Sequence, residues 1–170
     1  DVGSSADFKV SEFRHKRDFD FSNEPMPAPH GADECYEFDL KDENSDLSVT
    51  LRYLVFKASN VIARSVLVHK QKRKHPRLEK IMSLNLDMYN RQFEALGLYG
   101  TWANEAHLTT HPLRPGTFTM SSIAGPSSNR HNPFMILKSK DAGLDEGDYY
   151  GVGLIYSGPF DISVNLGAND

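Results

Sequence analysis

The chain has 170 residues, 39% hydrophobic and 25% charged, with a net charge of −4. That length suits one domain, able to bury about 70% of the surface its unfolded chain exposes. The acidic balance argues against a nucleic-acid partner, and no apolar run reaches the roughly 18 residues a membrane helix needs.

Taken in order, almost every segment reads as strand. Asp7–Arg14 and Tyr36–Leu40 are short candidates, separated by the Pro-rich stretch Asn23–Gly31, which cannot join a sheet ladder. In Leu47–Phe56 the odd positions Leu47, Val49, Leu51, Tyr53 and Val55 are apolar, whereas Ser48, Thr50 and Arg52 are polar. This period of two predicts a half-buried strand with the odd face inward. The turn Lys57–Asn60 reverses the chain into Val61–Val68, and the basic run Lys70–Pro76 leads to a predicted strand Leu78–Met88. A short helical turn is expected at Asn90–Leu96. Further strands are predicted at Leu98–Thr109, Thr117–Ile123, Phe134–Lys138, Tyr149–Tyr156 and Phe160–Asn165. About ten short strands with turn signals between them imply an all-β, two-sheet antiparallel sandwich.

The opening residues DVGSSADF lack the basic and apolar regions of a signal peptide, and no initiator Met is present, as expected of a segment from a longer polypeptide. Cys35 is the single cysteine, which rules out an internal disulfide and fits a reducing compartment; the expected location is cytoplasmic.

Several groups invite a chemical reading. His107 and His111 share a strand face but stand about 13 Å apart on an extended strand. That exceeds the reach of one ion with Zn–N bonds of about 2.0–2.1 Å, so no metal or cofactor is expected. The basic run Lys70, Lys72, Arg73, Lys74 and His75 lacks interleaved aromatics and reads as a solvated hairpin turn. The carboxylate pairs Asp39 with Asp42, Asp33 with Glu34, and Asp145 with Glu146 are read as loop or turn residues serving solubility. A glycosidase would need two carboxyls about 5–9.5 Å apart in environments that split their pKa values. Ser127, Ser128, Asn129, His131 and Asn132 precede a strand, where such residues cap turns. They equally suit a polar surface meeting a sugar site or a neighbouring domain, and Trp102 suits either a core or an aromatic contact platform.

Taken together, these segments resemble the N-terminal β-supersandwich domain (galactose mutarotase-like) of family 36 glycoside hydrolases, the bacterial-type α-galactosidases. The resemblance rests on Leu51–Phe56 followed by Val61-Ile62-Ala63-Arg64-Ser65, on Leu78–Asp87, and on Gly100-Thr101-Trp102-Ala103-Asn104-Glu105. It continues through the turn Pro112–Gly116, Ser127-Ser128 with His131-Asn132-Pro133-Phe134, and Tyr150–Gly158. Asn129-Arg130 stands where the family usually has His-Gln, and Pro159 where Asn is common.

The resemblance implies that residues 1–170 are part of an N-terminal domain whose (β/α)8 catalytic barrel lies after residue 170. The parent would hydrolyse terminal α-galactosides of melibiose or raffinose type with two Asp residues of that barrel, or transfer galactose as raffinose synthases do. The nucleophile's Lys-Trp-Asp motif is absent here; Leu86-Asp87-Met88 lacks the Lys-Trp, so no catalytic residue is assigned. The implied partners are the chain's own barrel, further copies in a homo-oligomer and, for the parent, an α-galactoside. Trp102, Glu105, Ser127, Ser128, His131, Asn132 and Phe134 are the candidate residues for a domain or subunit contact. A freestanding carbohydrate-binding module and a mutarotase-like aldose epimerase are the alternatives. Epimerisation needs an acid and a base such as Glu105 and His107 on one strand face.

Overall fold

Alternating polar and apolar residues in neighbouring segments dictate the first sheet. A computed structural model describes residues 6–21, 29–43, 47–70, 81–123, 130–156 and 158–167, and every regular element among them is a strand. The chain divides into two compact units, Asp1–Leu86 and Asp87–Asp170.

The first unit holds β1 (Phe8–Lys16), β2 (Glu34–Asp42), β3 (Leu47–Phe56) and β4 (Val61–Lys70), antiparallel neighbours in the order β1-β2-β3-β4. The β3–β4 turn closes at Asn60, whose φ of 54° suits the short polar side chain of asparagine. Asp33 fixes the start of the same turn, accepting from the Lys57 amide at 2.7 Å.

The direction in which this sheet buries itself departs from the expectation for Leu47–Phe56. Leu51, Tyr53 and Val55 are only half-buried, while Thr50, Arg52 and Leu54 are buried. Register explains the inversion. Thr50 lies opposite Asp39, Arg52 opposite Glu37 and Leu54 opposite Cys35, so the polar side chains of β3 meet complementary partners on β2. Charge that would oppose burial alone is neutralised across the strand pair. The apolar face carries instead a ladder of rings: His15 stacks on Tyr36 at 4.6 Å, Phe13 meets Phe38 at a tilt with centroids 5.0 Å apart, and Phe38 meets Tyr53 edge-on. At its rim Val10 is 61% exposed.

The second unit holds β5 (Glu94–Thr101), β6 (Asn104–Pro112), β7 (Gly116–Ser122), β8 (Phe134–Lys138), β9 (Tyr149–Gly153) and β10 (Phe160–Leu166). One antiparallel sheet runs β6-β5-β8-β9, and β7 pairs with β10 in a separate ribbon. Their shared interior is apolar: Phe93, Ala95, Met120, Met135 and Leu137, with Met88, Leu113, Phe118, Ile162 and Val164 packed around them. Gly97 on β5 leaves the space that Met120 of β7 fills, since a Cβ there would lie 2.1 Å from Met120 Cε.

Three expectations are corrected here. The predicted strand Leu98–Thr109 is two strands, the end of β5 and most of β6, joined by a turn at Trp102-Ala103. Residues 81–88, the described part of the predicted strand Leu78–Met88, belong to no ladder despite their alternation. Leu84 and Leu86 there are exposed. Asn90–Leu96 forms no helical turn: Asn90 Oδ1 accepts from the Gln92 amide at 2.8 Å, Gln92 takes φ 54°, and the chain enters β5 at Glu94. An Asx turn thus starts a strand where a helix was expected. The basic run beyond Lys70 lies outside the described residues.

Candidate functional site

Backbone pairing brings the separate candidate segments to one end of the sheet β6-β5-β8-β9. The register between β5 and β6 shifts near that end, with Tyr99 opposite His107 but Thr101 opposite Asn104. Ala103 in the turn and Ala106 in the bulge both take φ 61°, the left-handed region that alanine enters at a cost of about 1–2 kcal/mol. Trp102 therefore stands at the hairpin tip, 85% exposed, and Glu105 is exposed beside the bulge. The bulge at Ala106 interrupts the alternation that would place Glu105 and His107 on one face. His107 Nε2 lies 2.6 Å from Asn104 Oδ1 and donates to it, bracing the turn.

Residues 130–134 continue the line of β8 along the outer half of β5. The Gly100 amide donates to the Arg130 carbonyl at 2.9 Å, and the Asn132 amide to the Leu98 carbonyl at 3.2 Å. Between them His131 pairs with Tyr99, ring centroids 4.8 Å apart. Burial lowers the His131 pKa below its usual 6.5, with His111 adding to the effect. Its Nδ1 is buried without a hydrogen-bond partner among the described residues. Phe134, half-buried, opens β8 opposite Gly153, and Pro133 accepts from the Leu154 amide at 2.8 Å. Trp102, Glu105, His131, Asn132 and Phe134 thus belong to one sheet end; Ser127 and Ser128 lie outside the described residues.

The densest polar constellation lies elsewhere, on the buried face of β1–β4. Glu37 accepts from Arg52 Nε at 2.8 Å, Lys16 Nζ at 2.7 Å and Arg14 Nε at 3.2 Å. Arg14 also grips Asp39 through both terminal nitrogens, at 2.5 and 3.0 Å. Thr50 donates to Asp39 at 2.6 Å and lies 3.0 Å from His69 Nε2. The Phe21 ring covers the Arg52 guanidinium at 3.7 Å. Burial pushes the Glu37 carboxyl up, but the bonds from Lys16 and Arg52 outweigh it and hold it below its usual range. The bond from Arg14 lowers Asp39 to about 2. At the sheet's margin Lys57 lowers Glu34 to about 2. These carboxylates are fixed negative charges, unsuited to donating a proton near neutrality.

Three carboxylates read as loop or turn residues are corrected by this arrangement: Glu34, Asp39 and Asp42 are strand residues of β2, and Asp42 is buried. The signal for the network was present as opposite charges at cross-strand positions, Glu37 with Arg52 and Arg14 with Glu37. Among the described residues no three His, Cys, Asp or Glu side chains converge as a metal set, and no helix is long and apolar enough to cross a membrane.

The family model "Glycosyl hydrolase family 36 N-terminal domain" matches residues 2–170. Probable α-galactosidase C of Aspergillus terreus is 30% identical over 174 residues, covering 98% of this chain and 23% of the fungal protein. α-Galactosidase Mel36A of Lactobacillus acidophilus is 36% identical over 141 residues, covering 77% of this chain and 19% of its own length. Among solved structures, family 36 α-galactosidase AgaA of Geobacillus stearothermophilus superposes with a TM-score of 0.89 at 26% identity, covering 97% of this chain and 23% of that one. The chain therefore spans less than a quarter of these relatives. By family match and by fold, it belongs to the N-terminal domains of family 36 glycosyl hydrolases.

Proposed function

We propose that this chain serves as the non-catalytic N-terminal domain of an α-galactosidase, packing on a (β/α)8 catalytic barrel that follows residue 170. The parent removes terminal α-linked galactose by a retaining mechanism, one barrel Asp attacking the sugar and a second acting as acid and base. The sheet end carrying Trp102, Glu105, His131, Asn132 and Phe134 is the surface that meets the barrel or a second subunit of a homo-oligomer, and Ser127 and Ser128, outside the described residues, complete the set of contact residues. The observation that carries this reading is Trp102, a large aromatic held 85% exposed on a hairpin whose backbone is strained at Ala103 and Ala106. Exposed aromatics of this kind are typical anchors of protein contacts. The carboxylates Glu34, Glu37 and Asp39, each with a lowered pKa, are held ionised by cations, which suits a structural role. The lone buried thiol of Cys35 fits a cytoplasmic setting.

Hydrolysis of p-nitrophenyl α-galactoside tests the assignment. The protein at its full natural length is expected to release nitrophenol, and residues 1–170 alone to release none. Hydrolysis by residues 1–170, or saturable galactoside binding by them in an NMR titration, would move the function into this chain and contradict the reading.

A further inference from the structure

One buried polar atom on the sheet end has no hydrogen-bond partner among the described residues. His131 places its ring against Tyr99 with Nδ1 buried and unpartnered among the described residues, while the amides on either side of the pair tie residues 130–132 to β5. A neutral imidazole tolerates that seat, because one nitrogen can remain an unprotonated acceptor. An imidazolium does not, because both nitrogens then carry protons and the buried one has nothing to donate to.

Among the described residues, the groups around the ring offer no compensation. On β5 it faces Tyr99, and on β6 the facing residues are His107, opposite Tyr99, and His111, whose own ring packs on Phe118 of β7 at 4.9 Å. His111 is the residue whose charge acts on His131, and it opposes protonation. Arg130 is next in the chain, and Ala124–Asn129 contains no ionisable side chain. Glu105 is exposed beyond the bulge, and Phe134 and Leu154 are apolar.

We propose that His131 is a proton-sensitive latch: neutral, it seats residues 130–134 on β5, and protonated, it releases them and loosens the proposed domain contact. The consequence for the contact rests on the function proposed above; the latch does not. Because burial lowers the folded pKa of His131, the released state takes up the proton first. The seat is therefore fully formed above about pH 6.5 and weakens as pH falls below it.

Hydrogen–deuterium exchange on the protein at its full natural length reads the latch without reference to activity. Between pH 7.5 and 5.0, after correction for intrinsic rates, peptides covering the Gly100 and Asn132 amides are expected to lose about tenfold in protection. Peptides of β7 and β10 serve as the internal control and keep theirs. His131→Phe, which retains a ring against Tyr99, is expected to abolish the pH dependence. His111→Gln, which removes the neighbouring imidazole, moves the midpoint to higher pH. Unchanged protection in the wild type, or the same pH dependence in His131→Phe, would overturn the latch. Should His131→Phe fail to fold, an unmoved midpoint in His111→Gln overturns it instead. Failure of the domain contact is distinguishable, since the Trp102 hairpin would then exchange freely at both pH values.

Discussion

The two four-stranded sheets of this chain bury opposite kinds of surface. In β1–β4 the covered face is ionic, with Glu37 and Arg52 3% and 7% exposed, and the apolar rings sit on the more open side. In β6-β5-β8-β9 the covered face is Ala95, Met135 and Leu137 against Met120, and Leu96 and Ile136 stand half-buried on the other face. Apolar side chains stand on the less covered face of each sheet, so hydropathy alone does not decide which face is covered. Directional pairing decides it in the first sheet and volume in the second. The first is consequently vulnerable to the loss of one charge, and the second to the gain or loss of one methyl group.

The largest effect is expected from Glu37→Ala. It removes the buried carboxylate that Arg52, Lys16 and Arg14 share, and removing one partner of a buried ion pair costs about 3–5 kcal/mol. Urea denaturation measures it, and a joint Glu37→Leu, Arg52→Met replacement should restore much of the loss. In the second unit Met120→Ala is expected to cost about 2–5 kcal/mol. Gly97→Ala, which drives a Cβ into Met120, should cost about 1–3 kcal/mol. The double variant should cost less than the sum, because the methyl group added at position 97 occupies space that the Met120 side chain vacates.

A pH titration sharpens the contrast. Arg14 lowers the folded pKa of Asp39 to about 2 from an ordinary 3.8. Its stabilising contribution is therefore complete above pH 3.8 and is lost as pH falls towards 2. Asp39→Asn should flatten that part of the acid-unfolding curve, whereas Met120→Ala should lower the curve without changing its shape. The smallest effect belongs to the hairpin: Ala106→Gly relieves a left-handed alanine but adds backbone entropy, a net gain of about 0.5–1 kcal/mol by denaturation.

Much of the fold is legible in the sequence because β1 to β4 and β7 to β10 carry their alternation and their turn residues openly. What is hidden has identifiable physical causes. The β5–β6 hairpin turns at Trp102-Ala103 without a glycine or asparagine at its centre, so Leu98–Thr109 reads as one strand. Residues 81–88 alternate convincingly but find no ladder partner, and alternation cannot supply one. The buried face of β3 is easily misread because Thr50 and Arg52 look solvated until Asp39 and Glu37 are placed opposite them. The sheet end is half legible. Gly100–Glu105 and His131–Phe134 stand out along the chain, but only the pairing of Tyr99 with His131 brings them together.

The central claim is that the exposed Trp102 end meets a catalytic domain or a second subunit. Photo-cross-linking from position 102, with benzoylphenylalanine replacing the tryptophan in the protein at its full natural length, tests it most directly. Cross-linked peptides from residues after 170, or from a second copy, are the expected result. Efficient labelling confined to residues 1–170 of the same copy would contradict it.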